Sequence, residues 1–107
     1  MYTIKKTLLK SLFSFFPLLL VGYSPINITN DPTIKLNGVS PYIIEFQGAY
    51  IEAGATANDI EDGVLTESIV ITGSDQIDTN LLGIYYVQYS ITDSDDNTTT
   101  IEREVRV

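Results

Sequence analysis

The sequence predicts an all-β fold, an antiparallel β-sandwich of about seven short strands behind an N-terminal signal segment. Three observations predict it. Gly83 to Asp93, G-I-Y-Y-V-Q-Y-S-I-T-D, is a long strand with Tyr85, Val87, Tyr89 and Ile91 on one face by period two. No helical period longer than a turn follows the first 23 residues, and turn signals recur every ten residues or so. The apolar residues of each strand face one way, as two sheets sharing one core require.

The N-terminus is a separate object. Lys5, Lys6 and Lys10 flank or precede an apolar run from Leu12 to Val21. Basic, then apolar, then small is the order of a secretory signal peptide. The competing reading is a membrane anchor. The run is only about half the roughly 20 residues that a span needs, and Pro17 interrupts it. No stable membrane span is therefore expected once the signal is removed. Leu20-Val21-Gly22 resembles the bacterial lipoprotein signal, but Tyr23 stands where that pattern needs a cysteine. Without a thiol there is no lipid attachment. Residues 1–23 read as a signal peptide or a degenerate lipoprotein signal, residues 24–30 as a linker, and residues 31–107 as the sandwich.

Along the sandwich, Pro32 holds the residue before it extended. Thr33 to Asn37 alternates, with Ile34 and Leu36 on one face, and Asn37-Gly38 is a turn signal. Pro41 to Phe46 alternates again, placing Tyr42, Ile44 and Phe46 together. Tyr50 to Ala57 is a weaker strand with room for a bulge at Gly54. Asn58 to Gly63 reads as a loop. Ile69 to Thr72 is a short strand. Ile77 to Leu82 fits either a strand or a helical turn. Asp93 to Asn97 is a tight turn before the last strand, Thr98 to Val107. Ile101, Val105 and Val107 point inward there. Arg103 shares their parity and is expected near an edge, stem buried and head in solvent.

Composition excludes several functions. The 107 residues leave room for one domain. There is no cysteine, so packing alone must hold a small core. There is no histidine either, which removes Ser-His-Asp and Cys-His chemistry and the commonest transition-metal ligand. Beyond the leader the chain keeps three basic residues, Lys35, Arg103 and Arg106, against all 14 acids, a net charge of −11. Nucleic acid is not an expected partner, because phosphate binding needs clustered Lys and Arg.

Five segments in order resemble the bacterial immunoglobulin-like domain of surface proteins, a repeat type also seen in pesticidal crystal proteins. They are D-P-T-I-K-L-N-G (Asp31–Gly38), Y-I-E-A-G-A-T-A-N-D (Tyr50–Asp59), E-D-G-V-L-T (Glu61–Thr66), Gly83–Asp93, and D-N-T-T-T (Asp96–Thr100). The family's glycine before the asparagine of the last turn is Asp96 here, a residue that tolerates left-handed backbone. The resemblance implies an immunoglobulin-like sandwich and a structural or adhesive module rather than a catalyst. Members of that family occur in tandem or append to larger proteins, so the resemblance implies either a one-domain secreted protein or a piece of a parent with tandem immunoglobulin-like domains. The expected location is exported: cell surface, extracellular or periplasmic. The expected partner is a protein or a glycan at a cell surface.

Such a topology gathers acidic residues at one pole. Asp59, Glu61 and Asp62 fall in one loop, Asp93, Asp95 and Asp96 in another, and Asp31 at the chain entry. Crowded carboxylates repel, and a hard cation such as calcium would relieve them. The alternative is that Asp, Asn and Gly are turn formers on a wet surface. Paired carboxylates could also serve a glycosidase, but these sit in polar turns rather than an apolar cleft. Tyr85 and Tyr89 are expected in the core, one of them binding a turn through its hydroxyl as a tyrosine corner does. Tyr86 has the opposite parity and is the tyrosine best placed to stack on a sugar.

Overall fold

The computed structural model describes residues 30–107. The leader expected over residues 1–23 and the linker up to residue 29 lie outside the described residues. Seven strands follow, β1 (Thr33–Leu36), β2 (Tyr42–Ile43), β3 (Ala55–Asp59), β4 (Gly63–Val64), β5 (Val70–Thr72), β6 (Ile84–Thr92) and β7 (Thr98–Arg106). One sheet has the order β1-β3-β4 and the other β2-β7-β6-β5. All pairs are antiparallel except β2 with β7, which is parallel through Tyr42↔Val105 and Ile43↔Arg106. The two short 3-10 turns, Thr66–Ser68 and Ser74–Gln76, leave the described residues without an α-helix.

The alternation in β6 is what closes the sandwich. Val87, Tyr89 and Ile91 are buried on the inner face, while Ile84 and Tyr86 are exposed on the outer. Val105 of β7, Ala55 of β3 and Ile44 pack against that row. Each fully buried aliphatic side chain contributes about 1.5–3 kcal/mol. Ala55 and Ala57 are the small partners that let the second sheet approach. Tyr85 lies beside the core and donates its hydroxyl to the carbonyls of Leu81 (2.8 Å) and Asp78 (3.0 Å), the expected tyrosine corner. Those bonds tie residues 77–82 into a turn, which is neither of the two forms expected for it. Gly73 opens the 3-10 turn after β5 at φ +94; a Cβ there would lie 2.7 Å from the Tyr86 carbonyl.

Several element boundaries differ from expectation. Asn58 and Asp59 belong to β3 and Gly63-Val64 pairs back with it, so the expected loop is a hairpin with a three-residue turn. The strand expected from Tyr50 starts only at Ala55, after left-handed Gly54. The Pro41–Phe46 strand stops at Ile43. The chain turns at Phe46-Gln47, with Gln47 at φ 65, and Phe46 faces solvent.

The largest correction concerns Arg103. It is fully buried, not at an edge. From the inner face of β7 its Nε donates to the Tyr89 hydroxyl (3.0 Å), one terminal nitrogen to the carbonyl of Val39, and the other to those of Asn37 (2.7 Å) and Gly54 (3.1 Å). Glu52 faces it at 3.9 Å. The Glu52 carboxylate also accepts from the hydroxyls of Tyr89 and Tyr50 and from the Gly54 N–H. A buried guanidinium is tolerated when its fork is filled this way and its charge is answered. Burial alone would push the Glu52 carboxyl up. The hydroxyls of Tyr89 and Tyr50, the Gly54 N–H and the Arg103 charge outweigh that and hold it below the usual range. Burial and the contacts with Tyr89 and Glu52 push the Tyr50 hydroxyl well above its ordinary value.

Two predictions follow from this hub. Arg103→Ala leaves Glu52 without its counter-charge and the carbonyls of Asn37 and Val39 without their donor, and urea denaturation should show a loss of about 3–5 kcal/mol. Arg103→Lys should recover only part of it, because an ammonium cannot reproduce the fork. The second concerns pH. Because Glu52 titrates lower in the folded chain, its contribution is present above about pH 4.3 and lost as pH falls through the folded value. Because Tyr50 titrates higher, its contribution is present below about pH 10 and lost above that. Melting temperature against pH should therefore hold a plateau between these limits, and Glu52→Gln should flatten the acid limb.

Candidate functional site

The acidic pole is assembled by two turns and the chain entry. β3 ends at Asp59, and its hairpin turn carries Glu61 and Asp62. β6 ends at Thr92, and the following turn carries Asp93, Asp95 and Asp96. Asp31 precedes β1. Thr99 Oγ1 donates to the Pro32 carbonyl at 2.6 Å, which brings the entry against the start of β7.

Each turn is built around one aspartate. Asp59 Oδ2 accepts from the backbone N–H groups of Glu61 (3.0 Å) and Asp62 (2.9 Å). Asp93 Oδ1 accepts from those of Asp95 and Asn97, both at 2.9 Å, and its Oδ2 from the Asn97 amide (3.0 Å). These are the side-chain-to-backbone turns that make aspartate a turn former. Both residues are only 6% exposed. The two turns are tied together: Asp62 accepts from the Ser94 N–H at 2.7 Å and from its hydroxyl at 2.8 Å. Asp96 adopts φ +66, the left-handed geometry expected at that position.

The electrostatics record the crowding. The carboxyls of Asp59 and Asp93 are in contact, and so are those of Glu61 and Asp95. Contact with Asp95 first, then its charge, slight burial and the charges of Asp59 and Asp62, push the Glu61 carboxyl up. Asp93 moves the other way. Burial disfavours its charge, but the donors of Asn97 and Asp95 and the contact with Asp59 hold it below the usual range. Asp59 Oδ1 is buried with no hydrogen-bond partner.

Five of the seven expected residues, Asp59, Glu61, Asp62, Asp93 and Asp95, thus meet. Asp31 lies to one side. With Pro32, Thr33, Asn58, Asp59 and Ile60 it lines a depression of about 430 Å³. Asp96 contributes its backbone, donating to the Asp93 carbonyl at 3.2 Å. The acids are gathered two by two. Among the described residues no group of three or more is already placed to hold a metal ion. The cluster of Arg103, Glu52, Tyr50 and Tyr89 was missed by sequence reasoning. Its signal was the inward parity of Arg103 opposite Val87.

On the outer face of the four-stranded sheet, Tyr86 is 53% exposed, with Ile84 and Ile43 exposed further along the same face. β5 is an edge strand whose three residues are all exposed.

Residues 34–107 match the family model described as bacterial surface protein, Ig-like domain. Among solved structures, the chain is similar to the crystal structure of a lipoprotein from Bacteroides thetaiotaomicron. The TM-score is 0.60 and the identity 30%, over 71% of this chain and 37% of that one. The chain thus spans little more than a third of that lipoprotein. No curated protein matches it significantly. No helix among the described residues is long and apolar enough to cross a membrane.

Proposed function

The chain belongs to the bacterial surface protein Ig-like domain family, and from that membership we propose that it serves as a non-catalytic, exported module at the cell surface. Its work is spacing, adhesion or protein contact. The observation that carries this reading is the match over the whole sandwich, residues 34–107. The basic leader with its apolar run supports export. The similarity to a lipoprotein of which the chain spans only 37% supports a role as one unit among several. The buried polar groups around Arg103 are engaged in holding the sheets, which fits a scaffold rather than a reactive centre. The exposed edge of β5 offers backbone donors and acceptors to a partner strand.

Export is tested by producing the full chain with a C-terminal epitope in a bacterial host and fractionating the cells. The epitope is expected outside the cytoplasm and cleavable by protease added to the outside of intact or outer-membrane-permeabilised cells. Recovery only from the cytoplasm overturns the reading.

A carbohydrate-binding or accessory module is the second reading, favoured by the exposed ring of Tyr86 on a sheet face. It predicts glycan-array binding that falls at least tenfold in Tyr86→Ala with the melting temperature unchanged. Absence of binding to any glycan, or binding indifferent to that substitution, removes it.

A further inference from the structure

The carboxyl groups of Asp59 and Asp93 leave one buried oxygen, Asp59 Oδ1, without a hydrogen-bond partner. Both are more than nine-tenths buried and in contact with each other. Both are fixed from behind by backbone N–H donors, so neither can turn away. Asp59 Oδ1 has no donor at all. An unanswered buried carboxylate oxygen is costly, and a facing carboxyl pair is relieved either by one shared proton or by a cation between or beside it. The basic side chains of the domain do not answer it. Arg103 is engaged with Glu52 and Tyr89, Arg106 pairs with Glu104, and Lys35 lies on β1 opposite Thr56.

We propose that the pole binds a divalent cation of the calcium type, with Asp59 and Asp93 as its buried floor and the exposed carboxylates of Glu61 and Asp95 closing over it. The chemistry suits a hard ion, since every donor is an oxygen and most are anionic. The floor is held rigid by the two turns. Glu61 and Asp95 are exposed and meet each other across the same two turns, so they can swing to a ligand without disturbing the fold. Asp62, engaged with Ser94, holds the turns in register. The cation draws together pairs that are otherwise side by side, and it locks the hairpin turn of β3–β4 to the turn of β6–β7. This site does not depend on the surface role proposed above.

The test uses the full chain stripped of metal, with calcium chloride as the probe. At about ten times Kd, bound calcium should raise the melting temperature by roughly 5–10 °C. Calorimetry should give one site per chain. The rise should be lost in Asp59→Asn, and also in Glu61→Gln/Asp95→Asn, whose side chains are exposed and whose fold is secure. Three results overturn the proposal. One is no change with calcium. Another is an equal rise in sodium chloride of matched ionic strength, which is screening alone. The third is a calcium effect undiminished in the double variant.

Discussion

One buried cation holds the two layers together. Arg103 projects from β7 into the core and makes four hydrogen bonds, one to a tyrosine of β6 and three to the carbonyls of residues 37, 39 and 54, which belong to the segments flanking β1 and β3. A sandwich of this size has few large side chains to close it. The fully buried apolar side chains amount to little beyond Val87, Tyr89, Ile91 and Val105. The guanidinium therefore does what a disulfide does in other small sandwiches, joining sheets through the interior. It joins them by geometry as well as energy. Three carbonyls at fixed positions must be where the fork reaches, so the irregular stretches 37–41 and 50–54 are specified without regular pairing.

Polar residues play a second part at the acidic pole. Asp59 and Asp93 each fold a turn around themselves, and Asp62 joins the turns through Ser94. The residues that crowd charge are the same ones that shape the backbone. Turn-forming and ion-binding are thus readings of one arrangement. The local hydrogen bonds account for one oxygen of Asp59 and leave the other unexplained.

The long strand was legible because period-two alternation over nine residues leaves one arrangement of faces. Tyr85, Val87, Tyr89 and Ile91 all lie where that period puts them, and Tyr86 faces outward. The convergence of Asp59, Glu61, Asp62, Asp93 and Asp95 was legible once the topology was assumed, since it follows from which loops share an end. The position of Arg103 was not legible, because its inward parity and its charge point to opposite places. Its answer lay in Glu52, some fifty residues away, in a stretch with no period to mark it. The early ends of β2 and late start of β3 were hidden for a related reason. The carbonyls of residues 37 and 39 bond to the Arg103 side chain, that of residue 54 is shared between it and the Asn37 N–H, and no local pattern records that.

The parallel pairing of β2 with β7 has a mechanical consequence. β7 runs away from the acidic pole toward the end where Val107 lies, and β2 runs the same way beside it. Tension between the two ends of the domain drags the β1–β2 segment toward one pole and β7 toward the other. The bonds between β2 and β7, including Ile44 N–H to the Arg106 carbonyl at 2.8 Å, then stretch side by side instead of opening in succession. The Arg103 bonds to residues 37 and 39 lie across the same line of slip. A link built this way yields only when its bonds fail together.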